Sequence, residues 1–479
     1  MRSTKPSLTL YAAVAVAAIT FGLAVCAQAQ TFTSLANFNG GNGQEPFYGS
    51  MVQATNGNYY GTTHQGGKNG GGNVFEVTPA GKLSTIYSFC AQTNCTDGED
   101  PWSALLLGSD GNFYGTTNIG GSTDDAGTVF KMTIGGKITT LYNFCSAGCS
   151  SSGEYPVGLV EASNGNYYGA TSNSGANNGG TLFEVSSTGT FKLVYSFCAR
   201  KGCADGSYPL SGPMQAINGT LYGTTNTGGS HGDGVVYEIT TAGLFKVLYN
   251  FCSQTGCADG QSPLGGLTQD SKGNLYGTTY WGGAYGYGTV FEITPTNEFI
   301  VLHSFDSTDG ANPVAPPLQA SDGNFYGTTG VGGISNGGTI YEITSAGVFS
   351  SLYSFCTASS CVSDEPGYAL AQATNGEFLG ATIYGGTSGY GTVYTYATGL
   401  GAFVKTVPVA AKAAARVIIL GNGLTGSTSV TFNGTAATFT VVSNTEITAT
   451  VPTGATTGAV EVTTPSGTLK SNPAFQVLP

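Results

Sequence analysis

Gly273-Asn274-Leu275-Tyr276-Gly277-Thr278-Thr279, followed by Gly282-Gly283 and then Gly288-Thr289-Val290-Phe291-Glu292-Ile293-Thr294, is the stretch whose repetition decides the fold. Two short runs rich in β-branched and aromatic residues flank a glycine-rich turn, which is the pattern of paired strands. The unit occurs seven times. Its Tyr-Gly step falls at Tyr60, Tyr114, Tyr168, Tyr222, Tyr276 and Tyr326, with Leu379 in the seventh place, a period of 50 to 54 residues. Periods of that size point to propellers or solenoids. Each unit adds an aromatic run such as Leu248-Tyr249-Asn250-Phe251 and a proline-anchored segment such as Pro263-Leu264-Gly265-Gly266-Leu267. Four strand-like segments per unit match a propeller blade. No unit contains a run of ten residues with apolar spacing near 3.6, so helical repeats are excluded.

The ends of the array separate a closed ring from a linear β-solenoid. The array opens with half a unit, Leu35-Ala36-Asn37-Phe38 followed by Pro46 and Met51-Val52-Gln53-Ala54, and its last unit stops after Gly391-Thr392-Val393-Tyr394. Three strands at one end lack a fourth, and the other end supplies it. An outer strand donated by the N-terminal segment closes a ring and removes the open sheet edge, whereas a solenoid has no use for complementary halves. The expected fold is all-β: a seven-bladed β-propeller of four-stranded blades over residues 30–401.

The Gly-Asn-x-Tyr-Gly-Thr-Thr, Gly-Gly and Gly-Thr-Val-Phe-Glu motifs resemble the GloVer-type tandem repeats of exported bacterial "choice-of-anchor" proteins, from about Phe32 to Leu400. The resemblance implies an exported protein and brings no catalytic residues. Residues 402–416, rich in Pro, Ala and Lys, read as a connection to a second module at 417–479. There Val417 to Gly421, Val430 to Gly434, Thr438 to Val442, Ile447 to Pro452 and Ala459 to Thr463 read as five strands, enough for a small β-sandwich. Val430-Thr431-Phe432-Asn433-Gly434, Val451-Pro452, Gly458 to Thr463 and Phe475-Gln476-Val477 resemble an IPT/TIG immunoglobulin-like domain. In bacterial surface proteins such domains resemble spacers and adhesion modules.

Residues 1–29 carry Arg2 and Lys5, an apolar run from Leu8 to Val25 and Ala27-Gln28-Ala29, the form of a cleaved signal peptide. Leu23-Ala24-Val25-Cys26 loosely resembles a lipobox, the lipoprotein alternative. No other stretch is apolar enough to span a bilayer. A net charge of −12 argues against nucleic acid and anionic membranes as partners. With 76 glycines and 9 % charged residues but 11 % aromatics, the composition is that of turn-rich β-structure rather than disorder. These features place the chain outside the cell or on its surface, with the periplasm as the other option, and a monomer is expected.

In a four-stranded blade, the loops joining strands 2 to 3, and strand 4 to the next strand 1, emerge on one face. That face carries the long glycine-rich loops, and the other carries tight turns such as Asp322-Gly323-Asn324. Function concentrates on loops held by a rigid scaffold, so the long-loop face is the expected working face. Trp281, Tyr285 and Tyr287, with Tyr384 and Tyr390, offer flat apolar surfaces of the kind sugars stack on. Packing against neighbouring glycine-rich loops is the plainer reading of the same residues. The recurring acids Glu76, Glu184, Glu238, Glu292 and Glu342, replaced by Lys131 and Thr395 in two units, read as hydrogen-bonded structure. The steps Asp97-Gly98, Asp205-Gly206, Asp259-Gly260 and Asp309-Gly310 read as Asx-turns, since one carboxylate per loop falls short of a calcium site. Asp124 and Asp125 are the remaining weak cation candidates. His64, His231 and His303 lie in different units, the first two in glycine-rich loops with no fixed partner in sequence; no phosphate loop is present, and no cofactor is implied. The expected function is binding, scaffolding or adhesion with glycans or cell-envelope polymers as partners, and no enzymatic activity. The rival is a hydrolase or lyase acting on polysaccharide at the channel mouth.

Apart from Cys26, the cysteines fall in five close pairs: Cys90/Cys95, Cys145/Cys149, Cys198/Cys203, Cys252/Cys257 and Cys356/Cys361. All follow the fourth strand. A zinc site needs four ligands and these loops offer two sulfurs with no histidine beside them, so disulfides stapling the blade-to-blade loops are expected. So few residues are enclosed that each staple contributes only about 2 kcal/mol on the chain-entropy model. Loops 39–45 and 306–312 lack the pair. Reduction with dithiothreitol should therefore raise proteolytic nicking of the loops and leave the ring folded. A collapse of the melting temperature would contradict this.

Overall fold

The computed structural model describes residues 30–478 except 47–48, 122–123, 357–362 and 367–368. The expected signal peptide and Cys361 lie outside the described residues. Six four-stranded antiparallel sheets follow one another along the chain, and a seventh is completed from both ends of the repeat array. Blades one to seven are numbered by their second strands: Tyr59–Thr63, Phe113–Thr117, Tyr167–Asn173, Leu221–Thr225, Leu275–Thr279, Phe325–Thr329 and Phe378–Gly385. In blade five the order is Thr268–Gln269, Leu275–Thr279, Thr289–Ile293, Phe299–Ser304.

Strands two and three of blade five are buried along their whole length. In their register Gly277 faces Phe291, and the ring of Phe291 lies over the glycine so closely that an added Cβ would overlap it. The same relation joins Gly61 to Phe75, Gly115 to Phe130, Gly169 to Phe183, Gly223 to Tyr237, Gly327 to Tyr341 and Gly380 to Tyr394. The glycine in each Tyr-Gly step is thus the floor on which a core aromatic rests. Outward from it, the blades meet through aromatics: Phe251, at the end of blade four, lies edge-on to Phe291 at 5.3 Å, and Tyr249 of blade four stacks on Phe299 of blade five at 3.7 Å. Offset and edge-to-face pairs of this kind add about 0.5–1.5 kcal/mol beyond their buried area.

Thr31–Asn37 pairs antiparallel with Thr392–Ala397 and closes the seventh blade. Phe32 stacks on Tyr353 of blade six at 4.6 Å, the place that Phe299 holds against Tyr249. Along the axis, side chains of the innermost strands clasp the neighbouring blade. Gln215 Oε1 accepts from Ser163 N (2.7 Å), Gln269 Oε1 from Ile217 N (2.8 Å), Gln372 Oε1 from Ser321 N (3.0 Å), and Gln53 Oε1 from Thr374 N (2.9 Å) across the closure. Threonines add to this: Thr278 Oγ1 donates to Ala315 O (3.0 Å) and Thr224 Oγ1 to Gly265 O (2.7 Å).

The second module packs two sheets, Lys405–Val407, Arg416–Leu420, Glu446–Thr450 and Phe439–Val441 in one, and Thr435–Ala436, Ser429–Phe432, Val460–Thr464 and Gly467–Lys470 in the other. Val417, Ile419, Val430, Phe432, Ile447 and Phe475 are buried between them. The stretch 402–416, expected to be a connection, carries two of this module's strands. Lys405–Val407 pairs with Arg416–Leu420, and Ala410–Lys412 runs parallel to Gln476–Leu478. Pro408, which has no N–H to give a ladder, stands between them and lets the chain switch sheets. The module sits on the tight-turn face of the ring. Thr445 Oγ1 donates to Thr55 O (2.7 Å), Asn422 Nδ2 to Thr374 Oγ1 (2.8 Å) and Asn472 Nδ2 to Gln319 O (3.2 Å), while Ile418 and Leu420 join the core around Leu105, Leu107 and Phe113.

Gly277→Ala should cost about 2–3 kcal/mol or more through overpacking against Phe291, read as a lower melting temperature. Tyr237→Phe should do the reverse. The Tyr237 hydroxyl is buried with no hydrogen-bond partner among the described residues, and phenylalanine holds the same place in four blades, so a gain of up to about 1 kcal/mol is expected. A loss of stability in Tyr237→Phe would contradict this packing.

Candidate functional site

With the second module on the tight-turn face, the long-loop face carries the other mouth of the channel. At that mouth the first segment of every blade carries a proline whose preceding residue has positive φ. The seven are Glu45, Asp100, Tyr155, Tyr208, Ser262, Asn312 and Glu365, with φ between 51° and 63°. Their N–H groups all donate to the preceding blade's loop between strands two and three, at 2.8 to 3.2 Å; Ser262 N, for example, donates to Asp233 O at 2.9 Å. Proline Cδ blocks the right-handed helical region for the residue before it, and the loop carbonyl holds the amide turned the other way. Left-handed backbone disfavours a side chain by roughly 1–2 kcal/mol, and glycine would remove that cost. In a chain with 76 glycines, none stands at these seven places.

The side chains on this uniform backbone are polar and differ from blade to blade. Asp100 forms an ion pair with His64, the residue after the Thr-Thr step of blade one, and Trp102 lies 5.8 Å from the His64 ring. The Glu99 carboxyl beside it is pushed up by burial and by the charges of Asp125 and Asp100. Tyr155 titrates higher than usual because of burial and the nearby Glu154, Asp125 and Tyr208. The phenol of Tyr280 is raised by burial and by Glu365, two blades away. Tyr208 is 44 % exposed. The result is a mouth of carboxylates, amides and phenols. Sequence reading missed this ring, and His64 with it, because its members are tens of residues apart and meet only when the ring closes. The available signal was the position before each proline, which is never glycine and never aliphatic.

The five aromatic candidates are all exposed: Trp281 44 %, Tyr285 64 %, Tyr287 39 %, Tyr384 44 % and Tyr390 40 %. They stand in two groups, on blades five and seven. Trp281 and Tyr384 occupy equivalent places, and so do Tyr287 and Tyr390. In blades one, three and six that second place is Gly71, Gly179 and Gly337, where a Cβ would press on Cys90, Cys198 and Cys356. Tyrosine appears opposite the two loops that lack cysteines, and the Tyr390 ring lies against Gly40 of loop 39–45. Tyr287 and Tyr390 are therefore read as filling space that a disulfide occupies elsewhere. Trp281 and Tyr285 remain open at the rim, Tyr384 is 44 % exposed there, and Tyr280 packs edge-on to Trp281 at 4.9 Å.

Residues 17–212 and 200–394 match the Gloeobacter/Verrucomicrobia repeat, and 407–477 match the IPT/TIG domain. The chain belongs to the Gloeobacter/Verrucomicrobia repeat family. This pairing of modules, with the disulfides below, fits a cell-surface protein. No curated protein matches. Among solved structures, a protein of unknown function from Bacteroides thetaiotaomicron is 14 % identical over 77 % of this chain and 76 % of that one, with a TM-score of 0.42. The extracellular domain of a hybrid two-component system from the same organism is 11 % identical over 94 % of this chain and 59 % of that one, TM-score 0.47. A puromycin hydrolase mutant is 12 % identical over 71 % and 50 %, TM-score 0.46.

The family's recurring residues are mostly architecture. Cys90–Cys95, Cys145–Cys149, Cys198–Cys203 and Cys252–Cys257 are disulfides, and Cys356 is also disulfide-bonded. Sulfurs so engaged are not metal ligands, although Glu99, Glu154 and Asp233 lie beside three of these pairs. Asp97, Asp205 and Asp259 are fully buried and organise the stapled loops. Asp259 accepts from Tyr249 Oη (2.7 Å), Ser253 N (2.9 Å) and Gln254 N (3.2 Å). Burial acts to raise its carboxyl, but these donors together hold it below the usual range. In the unstapled loop Asp309 plays the same part with His303 at 2.8 Å. Glu76 accepts from Tyr60 Oη and Asn58 Nδ2, both at 2.6 Å, and where Lys131 replaces the glutamate, Asp110 pairs with it at 2.7 Å. Asp125 accepts from Gly120 N (2.7 Å), and Asp124 is exposed.

Asp259→Ala should therefore cost about 2–3 kcal/mol by stranding these donors and the Ser253 hydroxyl, while a chelator leaves the wild-type melting temperature unchanged. A chelator-induced drop would return these aspartates to a calcium role.

Proposed function

We propose that this chain is an exported or surface-exposed binding protein that holds a hydroxyl-rich polymer, a glycan of the cell envelope or its surroundings, at the long-loop mouth of the propeller. One observation carries the reading: seven side chains are kept at left-handed positions that favour glycine. Strained backbone that persists around a shared opening is a reason to look for function there. Carboxylates there can accept from sugar hydroxyls and phenols can both donate to and accept from them, and Tyr208, Trp281, Tyr285 and Tyr384 offer faces for sugar rings. The oxidised cysteine pairs suit a compartment outside the cytoplasm. A second reading, cleavage of the bound polymer, is favoured by the Glu99, Asp100, Asp125 and His64 cluster, where one carboxyl is pushed up beside others, as acid/base chemistry requires.

The test is binding of the full chain to glycan arrays and isolated cell-wall polymers, with analysis of released products. Tyr208→Ala and Trp281→Ala should each weaken binding about tenfold with the melting temperature unchanged. Binding equal to wild type in both variants, or no polymer bound, would overturn the proposal. Products that vanish in Glu99→Gln and Asp100→Asn would establish the cleavage reading instead.

A further inference from the structure

Between the propeller and the second module lies a cavity of about 840 Å³, within the size range of small-molecule sites. It opens from the tight-turn end of the channel, opposite the mouth considered above, and does not depend on that reading. Leu105, Leu107, Val160, Met214, Leu318 and Phe403 give it an apolar wall. The charged residues lining it are Glu161, Lys405, Lys412 and Arg416, three cations to one acid in a chain of net charge −12. Glu161 is already engaged: it accepts from Ser109 N at 2.8 Å and from the Ser109 hydroxyl, and burial pushes its carboxyl up. The wall glutamines are engaged too, since Gln215 and Gln269 accept from a neighbouring blade and donate to Gly219 O (2.9 Å) and Gly273 O (3.2 Å). Lys412 and Arg416 are exposed at the edge.

Lys405 is the group left over. Among the described residues it has no ion-pair or hydrogen-bond partner, and its Nζ lies 5.8 Å from the centre of the Phe403 ring. Burial alone brings its ammonium down to about 8, so it is still mostly charged at neutral pH. An unpaired ammonium in an apolar enclosure is costly unless something neutralises it.

We propose that this cavity binds a small amphiphile, an apolar chain ending in one carboxylate, with the carboxylate paired to Lys405 and the chain laid along the apolar wall. Decanoate is a suitable probe, with decanol as the uncharged control, both titrated calorimetrically into the full chain. Decanoate should bind at micromolar concentration, Lys405→Met should weaken it at least tenfold, and decanol should bind both proteins alike. Lys405→Met should fold, with a melting temperature equal to or above wild type, because it removes an unpaired charge. Lys405→Arg should keep binding, and Leu107→Trp, which fills the cavity, should abolish it for both probes. Decanoate affinity should fall as pH rises past about 8, where free Lys405 loses its proton; the other charged groups facing the cavity are Lys412 and Arg416 at its edge and Glu161, which Ser109 already engages. Absence of decanoate binding to wild type, or equal binding to Lys405→Met, would overturn the proposal.

Discussion

The contact between a glycine and the aromatic ring lying over it is the constraint from which the rest of the ring follows. Each strand-two glycine gives up its side chain so that a phenylalanine or tyrosine from strand three can lie flat across it. That ring is also what the preceding blade packs against: Phe251, at the end of blade four, meets Phe291 of blade five edge-on, and Tyr249 of blade four stacks on Phe299 of blade five. One contact thus fixes packing within a blade and the spacing between blades. Seven copies of it explain why the Tyr-Gly step is the clearest mark in the sequence, and why glycine sits where a strand would ordinarily reject it.

What was legible in the sequence was what recurs. Period, strand number, the closing role of Thr31–Asn37 and the cysteine pairs all repeat or complete a repeat, so comparison of the chain with itself exposes them. The structural reading of the recurring glutamates and aspartates also agrees with their partners, because a buried carboxylate at a repeated place needs repeated donors, and Tyr60, Asn58 and Tyr249 provide them. Contacts that depend on closure were not legible. His64 and Asp100 belong to different blades, Tyr280 and Glu365 stand two blades apart, and nothing in the spacing of 402–416 shows that Lys405–Val407 joins a sheet or that Ile418 docks on blade two.

The aromatic residues show how a repeat can hide a structural substitution inside an apparent binding motif. Tyr287 and Tyr390 look like sugar platforms when read alone. Set beside the other blades, they stand where glycine makes room for a cysteine pair, and they occur opposite the loops without one. A short disulfide contributes about 2 kcal/mol on the chain-entropy model, and burying part of a tyrosine ring against a glycine-rich loop contributes a comparable amount. The two solutions are therefore interchangeable within one ring, and the fold tolerates either. Trp281, at a place where no such exchange operates, keeps its claim as an open face.

The two ends of the channel have been given different physical characters. At the tight-turn end the second module is held by hydrogen bonds to turns of several blades, through Thr445, Asn422 and Asn472, and by apolar contact through Ile418 and Leu420. That end is consequently mostly apolar, half-enclosed and locally cationic. At the long-loop end the backbone is uniform while the side chains are polar, partly anionic and of five kinds over the seven blades. A large hydrated polymer can reach only the second, because entry to the first would require separating two modules that share a core. A small molecule with an apolar body gains most in the first, where its surface leaves water and its charge meets a lysine. On the two proposals the same ring carries two sites with opposed preferences, and the docked module is what separates them.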